Sequence, residues 1–171
     1  CGVHVVTLLA NDNEAQTVWF WNGFGLAVVD ALRWNTALEV DAPHGLELRR
    51  AVPGDAPLLG QIEAEHWQHY SAPPVQMYAG SANSAAEFQN LLVSEDFHVW
   101  LALDGDQPAA YLRLESRSHG ATSIVDVDDS IAITGAYTRP AYRGRRAMPA
   151  LLSAAIKDTR ARGFRRMSVD F

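Results

Sequence analysis

The sequence predicts an α/β fold of the α+β type, with a central mixed sheet that is mostly antiparallel and is flanked by helices. Three strand-like segments, 97–103, 108–116 and 130–138, follow one another with no helix between them, which is typical of an antiparallel meander. Residues 147–162 then carry apolar side chains at helical spacing, and residues 165–171 are strand-like again. A strand, a helix and a second strand in this order add a parallel pair to the sheet.

Patterns upstream of the meander predict the remaining elements. Strands are expected at Val3–Leu9, Gly25–Trp34 and Leu46–Arg50, and helices at Glu14–Trp21, at 53–71 and at Ala85–Val93. The segment between Asn35 and Gly45 contains proline and glycine and is predicted to be a loop. It is the best boundary in the chain, and it divides the sequence into residues 1–40 and 46–171.

Composition and charge limit the classes of function. The 171 residues suit one ordinary domain, and 48% hydrophobic with 20% charged residues is typical of globular proteins. The net charge of −6 argues against general nucleic-acid binding. No apolar run approaches the ~20 residues that span a bilayer, so no membrane partner is expected. The single cysteine excludes an internal disulfide, and a cytoplasmic location is expected.

The most informative stretch combines strand 130–138, the basic loop 140–146 and the helix that follows. A loop leading into a helix presents unpaired backbone N–H groups and the positive end of the helix dipole, which together favour phosphate. Arg143, Arg145 and Arg146 add positive charge within an acidic chain. This pattern indicates a small polyanionic ligand, and a solvated basic turn is the simpler alternative.

The same loop resembles a known motif. Arg143-Gly144-Arg145-Arg146-Ala147-Met148 resembles motif A of the GNAT (Gcn5-related N-acetyltransferase) superfamily, which has the pattern Arg/Gln-x-x-Gly-x-Gly/Ala. The resemblance implies acetyl-CoA as co-substrate, with its pyrophosphate bound by the backbone amides of Arg143–Met148. It also implies that Ala136, Tyr137 and Thr138 extend the sheet toward the pantetheine arm and polarise the thioester carbonyl. The pattern is incomplete, because Arg146 and Met148 stand at the two glycine positions.

A second resemblance concerns the N-terminal residues. Asp12, Ala15, Trp19, Gly23 and Phe24 have the spacing of the GNAT element that follows the fifth strand of that fold. In many members a tyrosine of this element is the general acid. Trp19 stands at that position here, and an indole N–H is not an acid near neutral pH.

Taken together, the two resemblances imply a fragment of a tandem-GNAT protein. Residues 1–40 would be the C-terminal strand-helix-strand element of a GNAT unit. Residues 46–171 would be the N-terminal and central, acetyl-CoA-binding part of a GNAT unit, so that the chain spans about one repeat and both ends are cut. Alternatively, residues 1–40 complete the second unit, as in a circular permutation. Val3–Leu9 and Arg165–Phe171 would then compete for one place in the sheet.

The implied function is that of an acetyl-CoA-dependent N-acetyltransferase, which transfers the acetyl group directly to an unidentified amine. The implied partners are a small-molecule or peptide amine and a second GNAT unit in the same or another chain. The alternative is a catalytically impaired GNAT-like module with a structural or regulatory role, which the residues at Arg146, Met148 and Trp19 favour. A third hypothesis is that the chain is a sensor that binds coenzyme A without turnover.

Further polar residues outside the motif suggest only weak hypotheses. His66 and His69 share one helix face but lack a third convincing ligand, so no metal site is expected. Glu115 is a candidate base if it faces the cleft, which depends on strand parity. The acidic group before the motif A strand suits a charged loop better than a site for a cationic amine: Asp126, Asp128 and Asp129.

Overall fold

The structure is a computed structural model of the 171-residue chain, and it describes residues 4–26, 28–41, 43–73, 81–116 and 127–170. Its elements are α1 (Asn13–Trp21), β1 (Asp30–Trp34), β2 (Glu47–Arg50), α2 (Ala56–Ser71), α3 (Ala85–Leu91), β3 (Phe97–Asp104), β4 (Gln107–Ser116), β5 (Ser130–Thr138), α4 (Ala147–Ala161) and β6 (Arg166–Asp170). Short 3₁₀ turns at Pro53–Asp55 and Pro140–Tyr142 precede α2 and the loop before α4.

The six strands form one sheet in the order β1-β6-β5-β4-β3-β2. Of the five strand pairs among the described residues, β5–β6 is parallel and the other four are antiparallel. The prediction of a mixed, mostly antiparallel sheet with flanking helices is therefore confirmed. The parallel pair arises from the strand-helix-strand unit β5-α4-β6, since such a connection must pass over one face of the sheet.

Each face of the sheet is covered by helices, because the strands present apolar side chains on both sides. On one face α4 packs Leu151 and Ile156 against Leu112 and Leu114 of β4. On the other face α2 and α3 pack against alternate strand residues, including Val99, Leu101 and Tyr111. Each fully buried Leu or Ile stabilises the fold by about 1.5–3 kcal/mol.

Two predicted strands in the N-terminal part are wrong or too long. Residues 4–9 of the predicted strand Val3–Leu9 form no strand. The place beside β5 for which they would compete is taken by β6. The predicted strand Gly25–Trp34 begins only at Asp30. Leu26 in its first part is 86% exposed, so apolar character alone gave no burial there.

The helix of this region follows its prediction closely. It was expected at Glu14–Trp21 and spans Asn13–Trp21, with Asp12 as the N-cap. The carboxylate of Asp12 accepts a hydrogen bond from the N–H of Ala15 at 2.9 Å. The capping residue was therefore the informative signal for this element.

The predicted boundary loop after β1 runs along α4. The side chain of Asn35 donates to Thr159 Oγ1 and to the carbonyl of Phe164, both at 3.0 Å. Nearer the start of α4, the hydroxyl of Ser153 donates to the carbonyl of Leu38. The loop therefore packs against α4 and the turn that follows it.

Candidate active site

The parallel pairing of β5 with β6 covers only the first part of β5. It joins residues 130–133 to residues 166–169, while β5 continues to Thr138. Beyond residue 133, the edge of β5 that faces β6 has no strand beside it among the described residues. This open edge is the first component of the candidate site.

A β-bulge lies where the two strands part. Gly135 is paired with Arg113 and Ile133 with Leu114 of β4, so Thr134 is an extra residue on β5. A bulge of this kind bends its strand and increases the local twist. It therefore accounts for the divergence of β5 from β6 after residue 133.

The main-chain groups of β5 beyond the bulge alternate between β4 and the open edge. The N–H of Arg139 donates to the carbonyl of Ala109 at 2.9 Å, and the register is unbroken from there to the bulge. Backbone N–H and C=O groups alternate in direction along an antiparallel strand, so the N–H and C=O of Tyr137 point to β4. The N–H and C=O of Ala136 and of Thr138 point to the open edge.

The loop after β5 turns through two residues with positive φ. Gly144 has φ 79° and Arg146 has φ 61°, and Arg146 is the N-cap of α4. In the described part of the chain, no hydrogen-bond acceptor faces the backbone N–H groups of Gly144, Arg146, Ala147 and Met148. These four donors and the positive end of the α4 dipole lie at the end of the open edge, an arrangement that favours an anion.

Three arginines surround these donors with exposed side chains, Arg143, Arg145 and Arg146. Arg143 Nε donates to the carbonyl of Thr138 at 3.2 Å, and the guanidinium of Arg145 lies 5.2 Å from the centre of the Tyr142 ring. Exposed guanidinium groups of this kind can turn toward a bound phosphate and form charge-assisted hydrogen bonds.

The beginning of the loop is fixed to helix α2. Arg139 forms a two-pronged ion pair with Glu65, with Nε to Oε2 at 2.8 Å and Nη2 to Oε1 at 2.7 Å. The side chain of Arg139 is 14% exposed and that of Glu65 is 34% exposed, so the pair is partly shielded from solvent. It sets the position of the loop relative to α2, which bounds the open edge on one face.

A buried polar network lies directly behind the bulge. Arg113 Nη1 donates to both carboxylate oxygens of Glu63 at 3.1 Å. The carboxylate of Glu63, 2% exposed, also accepts from the backbone and side chain of Asn83. On the opposite side of Arg113, the hydroxyl of Thr134 donates to Glu115 Oε1 at 2.7 Å. Glu115 therefore lies on the α2 face of the sheet, at the point where β5 and β6 diverge.

Aromatic rings continue this network toward the end of the open edge. His66 Nδ1 hydrogen-bonds Tyr111 Oη at 2.8 Å, and the His66 ring stacks on Tyr137 with centroids 5.0 Å apart. Burial, with Arg113 and His69 nearby, lowers the pKa of His66 to about 4. His66 is therefore neutral at pH 7. Burial is also the main cause that raises the pKa of Tyr70, which packs 4.3 Å from the His66 ring.

The predicted site residues fall into separate groups. Ala136 and Thr138 lie on the open edge, and Gly144 with Arg146–Met148 forms the helix N-terminus. Tyr137 contributes a buried side chain instead of edge groups, and Trp19 packs edge-on against Phe24 with ring centroids 4.8 Å apart. Asp126 lies outside the described residues, and Asp129 pairs with Arg166 at the start of β6.

Sequence reasoning missed Glu63, Arg113 and Thr134 as members of one network. They are distant in the chain and belong to no motif, and a charged residue in the apolar strand β4 was the one available signal. In the described residues, no group of three or more His, Cys, Asp or Glu side chains could hold a metal ion. Over the same residues, no helix is long and apolar enough to cross a membrane.

Comparisons with known proteins identify the family and the fold. A family model described as the acetyltransferase (GNAT) family matches residues 61–171. A search of curated proteins with this sequence found no match. Among solved structures, a protein from Clostridium acetobutylicum named as a predicted acetyltransferase, solved with acetyl-CoA, is similar with a TM-score of 0.56 and 20% identity. The match covers 71% of this chain and 78% of that one.

Two further structures share the fold. Ribosomal-protein-alanine N-acetyltransferase from Brucella melitensis biovar Abortus 2308 is 12% identical at a TM-score of 0.54, with 71% of this chain and 76% of that chain covered. The aminoglycoside acetyltransferase meta-AAC0020 from an uncultured soil metagenomic sample, in complex with sisomicin, is 16% identical at a TM-score of 0.50, with 70% and 73% covered. Identities this low show the fold, and the family model matches more than half of the chain. The chain therefore belongs to the acetyltransferase (GNAT) family, with acetyl-CoA as co-substrate.

Proposed function

We propose that this chain transfers the acetyl group of acetyl-CoA directly to an amine. The observation that carries the proposal is the open edge of β5 running into the N-terminus of α4. An extended pantetheine arm can continue the hydrogen bonding of the sheet at Ala136 and Thr138. The pyrophosphate would then reach the loop 143–148.

The residues of the loop suit a pyrophosphate in chemistry and in conformation. Four backbone N–H groups, at Gly144 and Arg146–Met148, have no acceptor in the described part of the chain, and the same loop carries three exposed guanidinium groups. The positive φ of Gly144 and Arg146 turns successive N–H groups toward one side, as anion-binding backbone requires. At Met148, where the family pattern has glycine or alanine, the backbone N–H is retained.

We assign the role of general base to Glu115. Its side chain is 36% exposed, so solvent and an amine can reach it, and it lies beside the bulge. Glu63 is the other nearby carboxylate, but it is buried and its oxygens are occupied by Arg113 and Asn83. Glu115 accepts from Thr134 at Oε1, but its exposed carboxylate can still take a proton from an ammonium group, whereas both oxygens of the buried Glu63 accept from Arg113.

The reaction then balances as follows. The amine nitrogen forms a bond to the thioester carbonyl carbon, and the bond from that carbon to sulfur breaks. The proton lost by the amine goes to Glu115, and the departing thiolate takes a proton from a phenol or from water. Tyr70 is our candidate phenol, since its raised pKa keeps it protonated and its ring is only partly buried.

The acceptor is proposed to be an amine of a small molecule or of a peptide. Two of the similar structures are named for such acceptors, one an aminoglycoside and one a ribosomal-protein alanine. The accessible carboxylate of Glu115 and the net charge of −6 on the chain both favour a cationic acceptor.

Calorimetric titration with acetyl-CoA tests the proposal. Arg143→Ala should weaken binding by about fivefold, as expected for an exposed charge-assisted contact of about 1 kcal/mol. Arg160→Ala removes the same charge from the exposed last turn of α4 and should leave the affinity unchanged. No heat at millimolar acetyl-CoA would refute the enzyme proposal, and equal effects of the two variants would refute the site.

A second candidate function is a GNAT-like module that does not catalyse transfer. It is favoured by Arg146, which holds a left-handed conformation at the position where the family pattern has glycine. A side chain there limits the approach of backbone to phosphate. Binding of acetyl-CoA without release of free thiol, for any member of an amine panel, would support this candidate and contradict the assignment of Glu115.

We also propose that residues 1–40 are the C-terminal element of a GNAT unit and that a second unit packs against them. Support comes from α1, whose side chains are all at least partly exposed, with Phe20 at 65% and Trp21 at 79%. Leu26 after it is 86% exposed. Neighbouring exposed aromatic and aliphatic side chains are typical of an interface.

A further inference from the structure

We propose that Arg113 is a positioning residue: its guanidinium holds the Thr134 bulge, and thereby fixes the open edge of β5 along which the acetyl-pantetheine arm binds. The inference deepens the proposed function and rests on it. Its basis is the set of contacts that Arg113 makes on its two sides, together with the register of β5.

All three guanidinium nitrogens of Arg113 have assigned partners. Nη2 donates to the carbonyl of Thr134 at 2.6 Å and Nε donates to Thr134 Oγ1 at 3.0 Å. Nη1 faces the other way and donates to both oxygens of Glu63. One side of the guanidinium therefore binds the extra residue of the bulge, and the other side is anchored to helix α2.

The surroundings of the guanidinium are shaped for it. A Cβ added at Gly135 would lie 3.2 Å from Tyr111 Oη and 3.4 Å from Arg113 Nε. The absence of a side chain at this position lets Tyr111 and Arg113 approach the strand directly beside the bulge. The Arg113 side chain is 16% exposed and Glu63 is 2% exposed, so water competes little for these hydrogen bonds.

The bulge determines which main-chain groups of β5 face the open edge. If Thr134 were absorbed into regular pairing with β4, residues 135–138 would shift by one position. A shift of one residue reverses the direction of each main-chain group and each side chain. Ala136 and Thr138 would then point to β4 and would no longer present N–H and C=O groups to the arm.

Lysine cannot replace these contacts, although it would keep the charge. A single ammonium group has no planar fork to reach the carbonyl and hydroxyl of Thr134 and the carboxylate of Glu63 at the same time. Arg113→Lys thus preserves neutralisation of Glu63 and removes the hold on the bulge. This difference separates a positioning role from a purely electrostatic one.

The experiment compares two probes in calorimetric titrations. Acetyl-CoA occupies both the edge and the loop, whereas adenosine 3′,5′-bisphosphate lacks the arm and has only the loop to bind. The variants are Arg113→Lys and the double variant Glu63→Gln/Arg113→Met. The double variant removes both buried charges together, so that no buried charge is left unpaired. Glu115, whose Oε1 lies 3.6 Å from Arg113 Nε, also loses its partner, but its side chain is 36% exposed to solvent. Arg49→Lys and the double variant Asp55→Asn/Arg49→Met are the matched controls, because Arg49 also forms a two-pronged pair with a buried carboxylate, Asp55, at the β2 edge of the sheet, away from β5.

Both Arg113 variants should bind acetyl-CoA about tenfold more weakly, as loss of oriented main-chain hydrogen bonds predicts. Their affinity for adenosine 3′,5′-bisphosphate should equal that of the wild type, and so should the affinities of both Arg49 controls for the two probes. Wild-type affinity for acetyl-CoA in either Arg113 variant would overturn the inference, as would equal weakening of both probes. If the wild type itself binds no acetyl-CoA, the proposed function fails, and this inference fails with it.

Discussion

Arg146→Gly should stabilise the fold, because Arg146 holds a backbone conformation that suits glycine. It has φ 61° and ψ 18°, in the left-handed region, where Cβ approaches the following carbonyl oxygen. Its side chain is exposed, so the substitution removes little packing. The change also restores the glycine that the motif A pattern has at this position.

Two opposing contributions set the magnitude. The left-handed conformation costs an L-residue about 1–2 kcal/mol. Replacing Arg146 by glycine removes this cost. The substitution also makes the unfolded chain more flexible, which lowers the free energy of unfolding by about 0.5–1 kcal/mol. The expected net increase in the free energy of unfolding is about 0.5–1 kcal/mol, which corresponds to a rise of about 2 °C in Tm for a chain of this length.

Urea unfolding followed by circular dichroism measures the effect, and two controls separate backbone from charge. Arg145→Gly removes the same charge from the same exposed loop at a residue without positive φ. It should therefore destabilise the fold by about 0.5–1 kcal/mol. Arg146→Ala removes the charge but keeps Cβ, so it should give no gain. If Arg146→Gly destabilises as much as Arg145→Gly, the left-handed conformation costs nothing here and the reasoning is refuted.

Three further predictions concern the network behind the cleft. Glu115→Gln should lower kcat by about 10²–10³-fold with little change in KM for acetyl-CoA, as for loss of a general base, and a wild-type rate with a reactive amine would contradict the assignment. Gly135→Ala should lower the free energy of unfolding by about 1–3 kcal/mol, because its Cβ would crowd Tyr111 Oη at 3.2 Å; an unchanged urea midpoint would show that the ring moves freely. The variant His66→Gln should lose less free energy of unfolding between pH 7 and pH 4.5 than the wild type does. Burial lowers the pKa of His66 from 6.5 to about 4, so the unfolded chain binds the extra proton as pH falls through this window, and about 2 kcal/mol is lost. Urea unfolding at pH 7 and pH 4.5 measures this, with the exposed His44→Gln as control.

Elements with strong local signals were predictable from the sequence. β5 was predicted at residues 130–138 and has those bounds, and α4 ends within one residue of its prediction. In both cases the signal is local: β-branched residues in the strand, and helical spacing closed by Gly163 in α4. Gly163 indeed has φ 94°, as a residue after a helix end often does.

Features that depend on partners distant in the chain were not predictable. The bulge at Thr134 is invisible in the alternation of β5, because it is defined by register against β4. Glu63 and Arg113 are 50 residues apart and meet only when α2 packs on the sheet. The predicted strand Val3–Leu9 shows the converse: its described residues, 4–9, have a good strand pattern but form no strand, and β6 fills the place beside β5.

The pairing of β1 with β6 decides whether residues 1–40 complete this sheet, and a disulfide can test it. Asp30 lies opposite Asp170. Because the N–H of Asn35 donates to the carbonyl of Arg165, alternation makes this pair a non-hydrogen-bonded one, with Cα atoms about 4.5 Å apart. Such a spacing suits a disulfide.

The test uses Asp30→Cys/Asp170→Cys in a chain that also carries Cys1→Ser, so that no other thiol competes. Removing two like charges that face each other should itself favour the pairing. Pairing within one chain predicts a disulfide-linked monomer on non-reducing electrophoresis, at any protein concentration. A disulfide-linked dimer would instead show that residues 30–34 of one chain add to the sheet of another, because the register of β1 on β6 is then made between molecules. If neither the disulfide-linked monomer nor the disulfide-linked dimer forms under oxidising conditions, the β1–β6 pairing itself is contradicted, since two thiols at this spacing need no backbone movement to join.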